Sequence, residues 1–305
     1  MSVAFTAGPA LAATSGSVAA SRRILAADDS VKRLGIVSPS GKLEWEIGIG
    51  SIHDAQVLPN GNILLQQGWN RIVEVDRHKG VVWEYDAGSL NGNAGKKVEV
   101  HSFQRLADGN TMIAECGTAR IIEVDTEGKM LKEVKLKIDH PDSHIETRLV
   151  RKLESGNYLV AHCSDGCVRE YNPTGAVVWE FDMPLFGKEP KDGHGPEGFG
   201  NMVFSAIRLK SGNTLVGGGN GHCVLEVNPA KEIVWKIDQN DLPGITLAWV
   251  THVRRFPNGN TLFGNCHAGP DQPQMIEVTK DKHVVWTFKD FTSFGNSTPV
   301  GMVLD

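Results

Sequence analysis

Two histidines open two copies of one phrase and are the first candidates for chemistry. His53 begins HDAQVLPNGNIL at 53–64, and His101 begins HSFQRLADGNTM at 101–112. A neutral imidazole can act as a general base, and it can also attack as a nucleophile and form a covalent intermediate. Because both histidines occupy the start of an apolar, alternating run, we predict that His53 and His101 are equivalent and are the candidate catalytic residues.

Further ionisable residues fall at or beside this position in other copies of the phrase. Counted back from each Gly-Asn turn, the equivalent positions are His53, His101, Arg148, Phe204, Thr251 and Pro299. The candidate ligand-binding residues near these positions are His144, Arg148, His252, Arg254 and Asp54, with Glu146 as a second local acid. His144 precedes Arg148 by four residues, which puts both on the same side of their strand. This group suits an oxyanion (sulfate, phosphate or carboxylate) or a His-bound metal ion.

The same histidines also have a purely structural interpretation. A histidine at the start of a strand, copied by duplication, can hydrogen-bond the backbone of the neighbouring repeat and plug the space between repeats. The two interpretations differ in whether the imidazoles face a cavity or lie buried between repeats. The sequence leaves both open.

A second set of soft ligands recurs in three successive repeats. The residues are His162, Cys163, His222, Cys223, Cys266 and His267, each pair standing at the turn between the second and third strands. Histidine and cysteine side by side favour zinc or copper. Repeats at that distance from an axis are about 10–13 Å apart, whereas zinc needs its ligands within about 2.0–2.3 Å. This metal site is therefore kept only as an alternative.

The elements that position these residues are repeated hairpins. The opening phrase returns as RLVRKLESGNYL at 148–159, FSAIRLKSGNTL at 204–215 and THVRRFPNGNTL at 251–262. The Gly accepts a positive φ and the Asn tolerates it, which is typical of a tight hairpin turn. A second hairpin follows each time and carries a strand such as VVWEY or VVWEF. Four antiparallel strands in about 47 residues indicate the blade of a β-propeller.

The chain begins and ends in the middle of a blade. Residues 21–25 (SRRIL) match NGNIL at 60–64, and 299–305 (PVGMVLD) supply the inner strand that the first blade lacks. We predict an all-β, six-bladed β-propeller of four-stranded antiparallel blades, with the N- and C-terminal strands sharing one blade. Residues 21–305 form the single domain, and 1–20, rich in Ala, Gly and Ser, form a leader or a disordered arm.

Five tryptophans are predicted to pack one blade on the next. They are Trp45, Trp83, Trp179, Trp235 and Trp286, which share one position of the outermost strand, where the third blade has Lys132. Aromatic residues at equivalent positions of a repeat are typical of packing between units.

Composition excludes several classes of function. The 305 residues carry 31 Lys+Arg and 36 Asp+Glu, a net charge of −5, without a basic stripe, so we predict no nucleic-acid partner. No apolar run approaches the ~20 residues of a membrane span. Five cysteines are too few for a disulfide framework, and a Cys163–Cys167 bridge is the one pairing that the spacing suggests.

Three connections are longer than the repeat requires: 87–97, 183–202 and 241–249. All three join an outer strand to the next inner strand, and so they lie on the face that carries His53 and His101. The longest, MPLFGKEPKDGHGPEGFGNM at 183–202, is rich in Gly, Pro and charge. Such a loop on a rigid scaffold is a candidate lid or a surface for a protein partner.

The repeat also resembles a known family. HDAQVLPNGNILL, HSFQRLADGNTM and THVRRFPNGNTL resemble the repeat of arylsulfate sulfotransferases, and the Asp…Gly…Val-Val-Trp-Glu ending is similar to the PQQ-like repeat, over 21–305. The resemblance implies that a mouth histidine takes a sulfuryl group, with His53, His101 and His252 at the motif positions and Arg148 in the ring. Phe204 and Pro299 depart from such a ring. PQQ itself is not expected, because quinoprotein dehydrogenases have eight blades and vicinal cysteines, which this chain lacks.

These observations predict a propeller that binds a small anionic or carbohydrate-like ligand at a His/Arg-rich channel mouth. The alternatives are a His-dependent group-transfer enzyme, a metal-assisted hydrolase or lyase, and a scaffold for protein partners. No cofactor is predicted, a metal ion being the alternative. The family resemblance favours a periplasmic or secreted location, whereas unpaired thiols favour a reducing compartment.

Overall fold

The computed structural model describes residues 22–304 and shows six four-stranded antiparallel sheets around one axis. Blade 1 is built from β24 (Val300–Val303), β1 (Ile24–Asp28), β2 (Arg33–Val37) and β3 (Leu43–Gly48), from the axis outwards. Blade 2 is β4 (Ala55–Val57), β5 (Ile63–Gln66), β6 (Arg71–Val75) and β7 (Val81–Asp86). Blade 3 is β8 (Glu99–Arg105), β9 (Thr111–Cys116), β10 (Arg120–Val124) and β11 (Met130–Lys135).

The other three blades repeat this order. Blade 4 is β12 (Val150–Lys152), β13 (Tyr158–His162), β14 (Cys167–Tyr171) and β15 (Val177–Asp182). Blade 5 is β16 (Ser205–Arg208), β17 (Thr214–Gly217), β18 (Val224–Val227) and β19 (Ile233–Ile237). Blade 6 is β20 (Trp249–Arg255), β21 (Thr261–Cys266), β22 (Met275–Val278) and β23 (Val284–Phe288). The predicted all-β, six-bladed propeller is confirmed.

The ring closes through the two ends of the described chain, as predicted. In blade 1, β1 pairs antiparallel with β24, with Ile24 opposite Val303 and Ala27 opposite Val300. This pairing removes the open sheet edges at which an unclosed array of blades would aggregate. The predicted arm at 1–20 lies outside the described residues.

The hairpin turns have the predicted backbone. The turn glycines Gly61, Gly109, Gly156, Gly212 and Gly259 all have φ between +85° and +89°. Any other residue type would be strained in this left-handed conformation. The repeated Gly-Asn phrase therefore sets the register of the first two strands in five blades.

Tryptophans of the outermost strands connect neighbouring blades. The Nε1 atoms of Trp45, Trp83, Trp179 and Trp235 each donate to a turn carbonyl of the next blade, at 2.7–3.1 Å. Trp286 is buried against the guanidinium of Arg22. The predicted packing role is confirmed.

The five cysteines lie inside this core as free thiols. The Cys163–Cys167 bridge suggested by the spacing is therefore not formed, since Cys167 faces His162 across the hairpin instead. Burial raises the pKa of Cys167 and Cys223 to about 12. No helix in residues 22–304 is long and apolar enough to cross a membrane.

Candidate functional site

The channel mouth at which the inner strands begin opens into a cavity of about 430 Å³. Its polar lining residues include His53, His144, Arg148, His194, His267 and Thr251. Its apolar wall includes Trp69, Trp249, Phe204, Met202 and Ile145. A cavity with a few convergent polar groups in an apolar wall is typical of small-molecule sites.

A β-bulge turns His101 towards the axis. In the β8–β9 pair, Val100 lies opposite Glu115 and Ser102 opposite Ala114, so His101 is an extra residue without a partner. A bulge of this kind re-aims a side chain and is frequent beside functional sites. His53 precedes the short strand β4, and its backbone N–H donates to Gln66 Oε1 at 2.7 Å.

A carboxylate between two imidazoles organises the mouth. Glu99 Oε2 lies 3.1 Å from His101 Nε2 and 2.6 Å from His144 Nδ1. The other nitrogen of His101, Nδ1, lies 3.0 Å from His53 Nδ1. Glu99, His101, His144 and His53 thus form one continuous hydrogen-bonded chain, in which Glu99 and His101 are buried.

Arg148 determines which nitrogens of this chain carry protons. Its Nη1 lies 3.3 Å from His101 Nδ1, and a guanidinium can only donate. Nδ1 of His101 is therefore an acceptor, and its proton lies on Nε2, facing Glu99. His53 must then donate from Nδ1 to the same acceptor. It follows that Nε2 of His53 carries a lone pair.

The guanidinium of Arg148 is itself incompletely partnered. Only 5% of the residue is exposed. Nη1 donates to the carbonyls of His144 and Thr147, whereas Nε is buried and has no acceptor in the described part of the chain. Arg148 forms no ion pair with any carboxylate of residues 22–304, because Glu99 is held by the two histidines. A buried charge without a counter-charge is unfavourable, so this position attracts an anion.

Burial and the local positive charge keep the central imidazoles neutral. The pKa of His53 is lowered well below 6.5, first by burial and then by the charges of His101, Arg148 and His144. The pKa of His101 is lowered well below 6.5 by burial, with Arg148 and His144 as the next causes. Both rings are therefore unprotonated near neutral pH, which is the form a general base requires.

The opposite wall of the cavity contains a second pair of histidines. The rings of His194 and His267 stack with centroids 5.3 Å apart, and His194 packs edge-on against Trp249 at 4.7 Å. Burial and the neighbouring His194 lower the pKa of His267. On the first wall, Trp69 stacks on His53 at 5.6 Å and meets His144 edge-on at 4.8 Å.

The long connection at 183–202 brings His194 to the cavity. Lys191 and Phe199 exchange two backbone hydrogen bonds of 2.8 Å, which fold the segment between them into a hairpin. His222 holds this hairpin, with Nε2 2.5 Å from the Gly198 carbonyl and Nδ1 2.6 Å from the Ala248 carbonyl. Gln239 adds a hydrogen bond of 2.7 Å to the Pro196 carbonyl.

The structure places His53, His101, His144 and Arg148 together, but it does not bring Arg254 to the mouth. Arg254 is exposed near the other end of its strand, where Nη1 donates to the Val303 carbonyl at 2.9 Å and the guanidinium covers Phe256. The prediction placed Arg254 on the same side of β20 as His252 and at the same end. Arg254 follows His252 by two residues along β20. Because a strand rises by about 3.3 Å per residue, Arg254 lies further from the mouth.

His252 lies deeper in the channel, beside the inner strands, and not in the mouth cavity. A bulge in β20 leaves Thr251 and His252 opposite Gly264, and the ring packs against Gly264 and Gly301. Its Nδ1 is 3.2 Å from Thr251 Oγ1, and Nε2 is buried with no hydrogen-bond partner among residues 22–304. Burial lowers the pKa of His252 to about 4.

Both predicted acids are engaged in joining blades. Asp54 receives two hydrogen bonds from Arg151, at 2.8 and 2.9 Å, and one from Ser102 at 3.1 Å, so it links blades 2, 3 and 4. Glu146 accepts from the Gly117 N–H at 2.7 Å, and burial raises its pKa. Neither carboxylate lines the mouth cavity.

The alternative metal ligands at the second-to-third-strand turns remain in separate blades. His162 lies between the Glu146 carbonyl and the Tyr171 hydroxyl, and Cys266 lies 3.8 Å from the Asn296 carbonyl. Within residues 22–304, two groups of three possible ligands do cluster: Glu99, His101 and His144, and Cys167, Glu180 and Asp182. The six residues of the sequence alternative form no such group in that part of the chain.

The sequence interpretation missed four residues of the site, and for three of them the sequence contained a signal. Glu99 precedes His101 by two residues, which is the spacing of one strand face. The chain has seven tryptophans, and the two outside the packing position, Trp69 and Trp249, both line the cavity. His194 carried no signal beyond its place in a long, Gly-rich connection.

The fold and this site define a six-bladed propeller with a histidine-rich mouth cavity. No protein-family model matches the sequence, and no curated protein matches it. A solved structure of a protein of unknown function from Bacteroides caccae is 22% identical, with a TM-score of 0.76, over 93% of this chain and 99% of that chain. A streptogramin B lyase is 13% identical, with a TM-score of 0.58, over 90% and 85%.

A third similar structure is a catalytically inactive histidine-to-alanine variant of virginiamycin B lyase from Staphylococcus aureus, with quinupristin. It is 11% identical, with a TM-score of 0.56, over 90% of this chain and 87% of that chain. Identities this low show a shared propeller fold. The resemblance to arylsulfate sulfotransferases and PQQ-like repeats remains a prediction.

Proposed function

We propose that the mouth cavity binds a small organic anion and that Arg148 is its principal contact. The observation that carries this proposal is the buried guanidinium of Arg148, which has no carboxylate partner among the described residues and leaves Nε without an acceptor. A carboxylate, sulfate or phosphate bound there would supply the missing counter-charge through charge-assisted hydrogen bonds.

The walls of the cavity also favour particular shapes of ligand. Trp69, Trp249 and Phe204 give flat apolar surfaces, and the histidines give hydrogen-bonding groups between them. Such a combination suits an anion with a ring, such as a sugar acid or an aryl sulfate, because ring faces pack on indole while hydroxyl or ester oxygens reach the imidazoles. The cavity of about 430 Å³ has room for such a molecule.

Calorimetric titration with sulfate, glucuronate and phenyl sulfate tests the proposal. We expect the unmodified protein to bind at least one of them and Arg148→Ala to weaken binding by at least about tenfold. Arg148→Lys keeps the charge but loses the planar donors, so it should recover only part of the affinity. Lys210→Ala removes one exposed charge elsewhere and is the matched control. Equal affinity of the Arg148→Ala and unmodified proteins would overturn the proposal.

A second candidate function, general-base catalysis on the bound anion, is favoured by the lone pair on His53 Nε2. This ring is neutral near pH 7, and its other nitrogen is fixed by the chain to His101 and Glu99. In an elimination, His53 Nε2 would take a proton from the carbon beside a carboxylate. The C–H electron pair would form a double bond, and the β-substituent would leave with its own bonding pair. The structural neighbours include lyases, although that likeness is one of fold.

Oligogalacturonate, whose elimination yields an ultraviolet-absorbing unsaturated acid, tests this second function, with phenyl sulfate as the probe for group transfer. His53→Gln keeps the size and a hydrogen bond of the imidazole but not its basicity. We expect it to bind the anion with unchanged affinity and to lose turnover. If the unmodified protein binds but turns over neither probe, this candidate is rejected and anion binding stands alone.

The protein-partner role of the connection at 183–202 stays a prediction. Part of that connection, His194, forms the cavity wall. This position is equally consistent with a loop that closes on a small ligand.

A further inference from the structure

A repeated arrangement of charge covers the outer tryptophans. Between blades 2 and 3, the Arg105 guanidinium lies over the Trp83 ring, 4.7 Å from its centroid, and 3.0 Å from Glu74 Oε2. The same three-part contact is formed by Arg208 with Trp179 and Glu170, by Arg255 with Trp235 and Glu226, and by Arg22 with Trp286 and Glu277. Between blades 3 and 4, Lys152 pairs with Glu123 at 2.6 Å. At these four interfaces with a tryptophan, the guanidinium thus lies over the aromatic ring and is neutralised by the carboxylate.

The interface between blades 1 and 2 has the tryptophan, Trp45, but apolar residues occupy the positions of the arginine and the glutamate. Trp45 lies opposite Ile36 across the strand pair, as Trp83 lies opposite Glu74. Val57, four residues before the turn glycine Gly61, occupies the position that Arg105 has before Gly109. Both members of the ion pair are therefore replaced by shorter apolar side chains.

An open groove of about 570 Å³ occupies this position. Its floor is formed by Trp45, Ile36, Val57, Ile63 and Met302. Val57 is 38% exposed, at the position where blades 3, 5 and 6 carry the arginine of the ion pair. The groove shares no lining residue with the histidine-rich cavity.

The rim of the groove is positively charged. Arg23, Arg77 and Arg254 line it. Neither Arg77 nor Arg254 forms an ion pair with a carboxylate of residues 22–304, and Arg254 donates only to a backbone carbonyl. Among the described lining residues, Asp76 is the one carboxylate, and its Oδ1 already accepts from the N–H groups of His78 and Gly80, both at 2.8 Å.

We propose that this groove is a second ligand site, which binds a small aromatic carboxylate or sulfonate. The ring packs on the Trp45 indole and the side chains of Ile36 and Val57, and the acid group is held by Arg77 and Arg254. A cationic ligand is disfavoured because Ile36 replaces the carboxylate that neutralises the cation at the other interfaces. The site is independent of the function proposed for the mouth cavity.

The sharpest test introduces into the groove the charged side chains found at the other interfaces, and the resulting protein is called the refilled variant. Ile36→Glu combined with Val57→Arg restores the ion pair above Trp45, so this variant should be at least as stable as the unmodified protein to heat. Titration with 1-naphthoate is followed by calorimetry. We expect saturable binding to the unmodified protein and at least about tenfold weaker binding to the refilled variant.

A second pair of substitutions separates charge from packing and does not depend on how the refilled variant folds. Arg77→Ala combined with Arg254→Ala should weaken 1-naphthoate binding by about tenfold. It should leave the weaker binding of uncharged 2-naphthol unchanged. These titrations are made in the Arg148→Ala background, so that the mouth cavity does not contribute. Lys210→Ala in that background is the control, and it should bind 1-naphthoate like Arg148→Ala alone.

Three results would overturn the proposal. The first is equal affinity of the refilled and unmodified proteins for 1-naphthoate. The second is loss of binding in Arg148→Ala, which would place the probe in the mouth cavity. The third is binding only after deletion of residues 2–21, which would make that segment of the chain the occupant of the groove.

Discussion

Nη1 of Arg148 lies 3.3 Å from Nδ1 of His101, so a group that only donates faces the ring nitrogen that joins His101 to His53. This contact sets the tautomer of His101 and, through it, that of His53. It also places a permanent positive charge beside the buried imidazole of His101 and close to that of His53. Arg148 therefore serves both the electrostatics of the cavity and the proton arrangement of the hydrogen-bonded chain.

The first prediction concerns protonation of the two histidines. Burial is the main cause of their lowered pKa values and Arg148 a further one. Arg148→Gln should therefore raise the pKa of both rings without returning either to 6.5. Nuclear magnetic resonance of the imidazole nitrogens during a pH titration measures this. Unchanged midpoints in Arg148→Gln would show that the charge of Arg148 does not reach these rings.

The second prediction concerns zinc. Glu99, His101 and His144 present ligand atoms within 4.8 Å of one another. To bind a metal, His101 Nε2 must lose its proton to Nδ1, which would then face the Arg148 donor. We expect weak zinc binding by the unmodified protein and about 10–100-fold tighter binding by Arg148→Gln, whose side chain offers an acceptor. Competition with a chromophoric chelator measures the affinity. Tight zinc binding that Arg148→Gln leaves unchanged would contradict this view of the tautomers.

The third prediction concerns Glu99, which accepts hydrogen bonds from both His101 and His144. Both imidazoles contact the same oxygen, Oε2, so Glu99→Gln can keep an acceptor for them but removes the negative charge that strengthens both hydrogen bonds. We expect a loss of about 1–3 kcal/mol in the free energy of unfolding. Urea denaturation measures it, with the exposed Glu154→Gln as the control. A variant as stable as the unmodified protein would mean that Glu99 does not organise the chain of histidines.

The fourth prediction concerns acid stability. His162 is completely buried, and burial lowers its pKa to about 4 from 6.5. The unfolded chain binds a proton at higher pH than the folded one. This histidine therefore leaves stability intact above pH 6.5 and lowers it as the pH falls towards 4, by about 1.4 kcal/mol per pH unit.

His162→Gln can keep the contacts to the Glu146 carbonyl and the Tyr171 hydroxyl but cannot be protonated. Urea denaturation at several pH values between 4 and 6.5 should therefore show a shallower pH dependence in this variant. His78→Gln, at an exposed position, should keep the original slope. If both variants have the same slope, the acid sensitivity of the protein arises elsewhere.

The fifth prediction concerns the close packing of His252. A Cβ at Gly301 would lie 2.6 Å from His252 Cε1 and 2.6 Å from Met275 Sδ. Gly301→Ala should therefore cost about 1–3 kcal/mol of unfolding free energy. His252→Ala removes one of the two obstacles, so the double variant should be more stable than the sum of the single effects predicts. Strict additivity in urea denaturation would show that His252 is not the side chain that crowds this glycine.

Most of the fold was predictable because the repeated sequence phrases directly indicate a repeated four-stranded unit. The turn glycines required a positive φ, and the tryptophans recurred at one position of the outer strand. The matching fragments at the two ends indicated how the ring closes. In the site, His53, His101, His144 and Arg148 were placed correctly at one mouth, since equivalent positions of equivalent blades meet at the axis. Their roles in binding or catalysis remain proposals.

The errors of placement come from features that local pattern does not encode. Arg254 was predicted to lie at the mouth, and Asp54 was predicted to contact a ligand. Alternation shows on which side of a strand a residue lies. It does not show how far along the channel the residue lies, or which side chain of another blade it contacts. Arg151, which neutralises Asp54, comes from another blade, 97 residues further along the chain. The bulges at His101 and His252 insert residues whose direction only the paired strand determines.

The amino-acid sequence by itself determined six hairpin pairs, their turns and the face on which imidazoles and a guanidinium gather, because period-two alternation and turn chemistry act between near neighbours. Only the tertiary structure decided which charges are neutralised. It left Arg148 buried without a carboxylate partner among residues 22–304, it placed Glu99 between two histidines, and it brought His194 to the cavity. Ion pairing and burial depend on distances across blades, which chain spacing does not specify.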